Sequence, residues 1–95
     1  MPASTGTRVY GNPRTLHSGP GRLLGYLVSH GESSAQAVTF YDSATPGGAV
    51  LHRAHVAPEQ CPFYVRLGGP GEAIPFTGGL SVDPGNCEVL VWAVS

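Results

Sequence analysis

The chain has 95 residues and a formal net charge of −1, enough for one small domain and too short for two cores. Fourteen Gly and nine Pro are roughly twice the ordinary combined usage and exclude a helix bundle, because these are the two poorest helix formers. There is no Lys, and the five Arg are spread along the sequence against six acids, so nucleic acid is not an expected partner.

The opening Met1-Pro2-Ala3-Ser4-Thr5-Gly6 lacks the basic start and apolar stretch of a secretory signal. No window approaches the roughly 20 apolar residues of a membrane-spanning helix. The expectation is a product made and kept in a cytosol, or assembled there, with no membrane partner. Residues 1–20 are rich in Gly, Ser, Thr and Pro, with Val9, Tyr10 and Leu16 as the large apolar residues. Such a segment buries too little surface to offset its ordering entropy alone. It reads as an extended N-terminal arm with a short extended piece at Thr7 to Tyr10, ordered by a partner or not at all. On that reading, deleting residues 1–10 leaves the domain folded and weakens attachment.

From residue 21 to 95 the pattern is that of a folded domain. Leu24, Tyr26 and Val28 alternate with Leu23, Gly25 and Leu27, which predicts a buried strand. Gly25 inside it marks a bulge or a close backbone approach. Ala37 to Tyr41 is the next strand, and Asp42 to Gly48 is a loop punctuated by Pro46 and two glycines. Ala49 to Val56 and Phe63 to Leu67 follow, then a turn at Gly68-Gly69-Pro70-Gly71. Ile74 to Phe76 and Leu80 to Val82 flank Gly78-Gly79. Asp83-Pro84-Gly85-Asn86 is a turn, with Pro84 at its second position and Gly85 taking positive φ. Glu88 to Val94 is apolar on both faces around Trp92, the mark of a central strand. Six or seven short strands and no helix predict an all-β, single-domain antiparallel sandwich or small jelly-roll barrel.

Reactive constellations are sparse. His52 and His55 lie three apart, which in a strand sends them to opposite faces. Neither His17, His30, Cys61 nor Cys87 stands at a spacing that completes a metal loop, so no metal or other cofactor is expected. Cys61 and Cys87 read as small apolar thiols, with one disulfide as the alternative. The Gly19-Pro20-Gly21-Arg22-Leu23-Leu24-Gly25 run has neither the spacing nor the following helix of a dinucleotide loop. No nucleophile elbow or acid pair stands out, and no catalytic residue is expected. Tyr26, Phe40, Phe63, Phe76 and Trp92 sit at strand positions where core packing is the default. Tyr10, Tyr41 and Tyr64 fall on the likelier outward positions, Tyr64 beside Arg66.

The stretches GRLLGYLV (Gly21 to Val28), VTFYD (Val38 to Asp42) and IPFTGGLSV (Ile74 to Val82) resemble those of small tailed-phage virion proteins, the capsid decoration (cement) and head-fibre-like β modules. The resemblance runs from residue 20 onward and rests on strand-and-turn patterns. It implies a jelly-roll-like domain that forms homo-oligomers, a trimer ahead of a dimer, and sits outside a shell of major capsid protein in the virion. It carries over no catalytic residue. The contact residues expected on this reading are Thr7, Arg8, Val9 and Tyr10 of the arm, with Tyr64 and Arg66. The alternatives are a tail, head-fibre or baseplate component, or a carbohydrate- or receptor-binding β-sandwich.

Overall fold

The computed structural model describes residues 6–45, 47–67 and 73–94. The turn expected at Gly68 to Gly71, Pro46 of the long loop and the first five residues of the expected arm lie outside them. Nine strands form two antiparallel sheets: β1 (Thr7–Tyr10), β2 (Arg14–Ser18), β3 (Gly21–Ser29), β4 (Gln36–Asp42), β5 (Ala49–Val56), β6 (Phe63–Arg66), β7 (Ile74–Phe76), β8 (Gly79–Asp83) and β9 (Glu88–Val94). One 3₁₀ turn at Pro58–Gln60 interrupts them.

The first sheet runs β1-β9-β3-β6, with β7 pairing the other end of β3, and the second runs β2-β8-β4-β5. The pairs nest: β1 with β9, β2 with β8, β3 with β6 and β7, and β4 with β5. The chain is therefore one long hairpin, β1 to β4 against β5 to β9, wound so that successive pairs fall alternately in the two sheets. That is the jelly-roll arrangement of the β-sandwich.

Between the sheets lies a single core. Leu23, Tyr26 and Val28 of β3 and Val89 and Val91 of β9 meet Val38 and Phe40 of β4, Leu80 and Val82 of β8, and Ala54 and Val56 of β5. Tyr26 packs on Phe40 with ring centroids 4.9 Å apart, and its hydroxyl hydrogen-bonds His52 Nε2 across the sandwich at 2.8 Å. Burial pushes the Tyr26 phenol above its ordinary pKa. His55, three residues on, is exposed, as strand alternation requires.

Two sequence expectations change here. The segment read as a free arm contributes β1 and β2, edge strands of both sheets. Its few apolar residues suffice because an edge strand needs only one or two inward side chains: Val9 is 2% exposed and Leu16 packs against the core. Backbone pairing with β9 and β8 supplies the rest. Removing residues 1–10 would take Val9 out of the core and unpair one side of β9, so the deletion costs stability as well as any contact. The final turn also falls one residue later than its sequence suggests. Cys87 N donates to Pro84 O at 2.9 Å, Gly85 has φ +58, and Asp83 Oδ1 accepts from Gly85 N.

Gly25 shows why its position excludes a side chain. The β3–β9 register shifts between Leu23 and Gly25, and a Cβ on Gly25 would lie 2.6 Å from the Val65 carbonyl oxygen. Its absence lets β6 close on β3.

Candidate functional site

Strand alternation fixes which side chains leave the core of the first sheet. On β9, Val89 and Val91 point inward, so Glu88, Leu90, Trp92 and Val94 point outward. Register carries the same assignment to the neighbours. Arg8 and Tyr10 of β1 stand opposite Leu90 and Glu88, while Arg22, Gly25, Leu27 and Ser29 of β3 stand opposite Val94, Trp92, Leu90 and Glu88. Tyr64 and Arg66 of β6 lie opposite Leu27 and Gly25.

The outer face of the first sheet thus carries an apolar stripe of Leu27, Leu90, Trp92 and Val94, each only half-buried. Tyr64, 56% exposed, meets the Trp92 ring edge-on at 5.8 Å and 82°. Gly25, beside that aromatic corner, contributes no side chain, and the Val65 carbonyl oxygen occupies the space where its Cβ would stand. Arg8, Arg22 and Arg66 surround the stripe. Arg8 pairs with Glu88 at 2.5 Å, and the two border a shallow groove of about 310 Å³ floored by Leu27 and Leu90. Arg22 and Arg66 have no acidic partner among the described residues.

The second sheet turns a different outer surface to solvent. Thr15 is exposed and Tyr41 partly so, whereas Thr39 and Ser81 on the same outward set are buried. Thr39 Oγ1 accepts from Arg53 Nε at 3.2 Å, and Asp42 closes the end of β4. Asp42 Oδ1 accepts from Gly78 N at 2.8 Å and Thr77 N at 3.0 Å, and Oδ2 from the Thr77 hydroxyl at 3.3 Å. The Gly78 amide, with the Thr77 and Gly79 donors behind it, holds the Asp42 carboxyl below its ordinary value against the opposing effect of burial.

Of the six contact residues expected from sequence, the structure brings Arg8, Tyr10, Tyr64 and Arg66 to one face. Thr7 and Val9 point to the opposite side, Val9 as core. Sequence reasoning missed Leu27, Leu90, Trp92 and Arg22. The signal for them was present in β9, where apolar residues occupy both alternating sets; the inward set fills the core and the other is left on the surface. Cys87 is fully buried, Cys61 half-buried, and both are free thiols. Burial, then the nearby Cys61 and Glu32, push the Cys87 thiol pKa up, which disfavours the reactive thiolate.

Among the described residues no three His, Cys, Asp or Glu side chains gather so as to hold a metal, and no helix is long and apolar enough to cross a membrane. Comparison with protein families, with curated proteins and with solved structures finds no match for this chain.

Proposed function

We propose that this protein is a non-enzymatic structural module of a virion, a capsid decoration protein that attaches to the outside of a shell of major capsid protein and stabilises it. The observation that carries the reading is the outer face of the first sheet, where Leu27, Leu90 and Trp92 form an apolar stripe that the described residues leave only half-buried, with Gly6 close against Leu90 and Trp92. Contiguous apolar surface of this kind, ringed by polar groups, marks a protein contact, and aromatic and Arg side chains are the residues enriched at such contacts. The jelly-roll order and the resemblance of the strands from Gly21 to Val82 supply the virion context. Repetition over a symmetric shell multiplies contacts that are individually weak.

Co-sedimentation of the purified chain with tail-free heads of its source virion tests this. Hundreds of copies per head, with a raised melting temperature of the shell, are the expected result, because a ligand selective for the assembled state stabilises it. Leu90→Ser with Trp92→Ser reduces the copy number while leaving the domain folded. Absence from heads with presence in tails would move the protein to a tail or baseplate role. Saturable glycan binding without shell binding would replace the reading with a carbohydrate-binding one.

A further inference from the structure

The charges around the apolar stripe say what kind of surface it meets. Among the described residues, sheet register gathers Arg8, Arg22 and Arg66 with a single acid, Glu88, on one face. Three arginines against one glutamate make the described part of that face +2 on a chain of net charge −1, while the other two arginines and the other four described acids carry −2. The separation is invisible in the sequence, where the same arginines stand far apart. With Arg8 already paired to Glu88, Arg22 and Arg66 are the cations left for a partner, one beside Val94 and the other across Gly25 from Trp92.

We infer that the occupant of this face is a different protein whose contact surface is apolar at its centre and carboxylate-bearing at its rim, and that it is not a second copy of this chain. The inference rests on reading this face as the attachment surface. Two copies laid face to face would set six arginines against two glutamates, and like charges held together across an interface oppose pairing. A carboxylate rim instead gives Arg22 and Arg66 bidentate partners, while the partner's apolar centre covers Leu27, Leu90 and Trp92. Self-association, where it occurs, then uses another part of the surface and leaves this face open.

The test uses the full chain at pH 7.5 on three matrices: one bearing both aryl and carboxylate groups, one bearing phenyl alone, and immobilised heparin. A protein with a sequence pI near 6.4 is repelled by carboxylates through its net charge, so retention on the aryl-carboxylate matrix reports a local cationic and apolar patch. We expect the strongest retention there, weakened about tenfold in Arg22→Gln with Arg66→Gln and unchanged in Arg14→Gln with Arg53→Gln, which removes the same charge elsewhere. Sedimentation velocity is expected to give the same oligomeric state for wild type and for Leu90→Ser with Trp92→Ser. Equal loss in both arginine pairs, or no retention, overturns the inference. So does tighter retention on heparin that ignores the Leu90 and Trp92 changes, which would indicate a polyanion such as nucleic acid. So does a dimer that dissociates when Leu90 and Trp92 are changed. The outcome is independent of the shell experiment. If wild type binds heads and the Arg22, Arg66 variant binds them equally, the partner chemistry fails while the decoration reading stands.

Discussion

The two outer faces of this sandwich are built by the same strand alternation and end in opposite chemistry. The second sheet shows Thr15, Tyr41 and Arg53 outward, the Thr15 hydroxyl donating to the Ala44 carbonyl and Arg53 to the buried Thr39 hydroxyl. The first shows Leu27, Leu90 and Trp92 inside a ring of arginines. Both sheets fill one core, so the second apolar set of the first sheet contributes little to folding the isolated domain. A small domain that carries more apolar strand surface than its core uses has surface available for a partner.

The largest expected effect tests the shared core beneath both faces. Phe40 is fully buried, in contact with Tyr26 and His52. Phe40→Ala should cost about 3–5 kcal/mol in urea unfolding and melt both sheets in one transition. Separate transitions would break the picture of two faces on one core. Gly25→Ala acts on the first face alone. Its methyl would press on the Val65 carbonyl oxygen, with an expected cost of about 1–3 kcal/mol. Amide hydrogen exchange should then show β6 deprotected while β4 and β5 remain protected.

On the second sheet, Asp42 sharpens the contrast through pH. Its carboxyl is held below the ordinary 3.8, so the ionised form contributes stability that is fully present above that value. That contribution is lost as pH falls through the folded-state pKa. Asp42→Asn should therefore lower the urea midpoint at pH 7, and the difference from wild type should shrink steadily below pH 3.8. A constant difference down to pH 2 would remove the carboxylate from the argument. The smallest effect belongs to Ser81, whose hydroxyl is buried without a hydrogen-bond partner among the described residues. Ser81→Ala should be neutral or stabilise by up to about 1 kcal/mol, measured by the same unfolding curve.

Much of the fold is legible in the residues themselves. Strand positions from Gly21 to Val94 follow from period-two alternation and Gly/Pro turns, and β9 is central, as its doubly apolar pattern requires. The edge strand β2 is the element the pattern hides, because Arg14-Thr15-Leu16-His17-Ser18 carries one apolar residue and a register shift between Thr15 and His17. The candidate face is half legible. Tyr10, Tyr64 and Arg66 alternate outward in a recognisable way, whereas Trp92 sits in a strand whose two sides are chemically alike.

The sequence by itself determined that this chain is all β, where its strands from Gly21 onward lie, and that Phe40, Tyr26 and Phe76 are core, since local alternation and turn chemistry act over a few residues. The tertiary structure alone decided that residues 7–18 close both sheets, that the strands wind as a jelly roll, and that Arg8, Arg22 and Arg66 ring Trp92. Those outcomes depend on which strand lies beside which. Pairing between residues as distant as Arg8 and Glu88 is set by how the whole hairpin winds around one core, a long-range arrangement that no local window of residues contains.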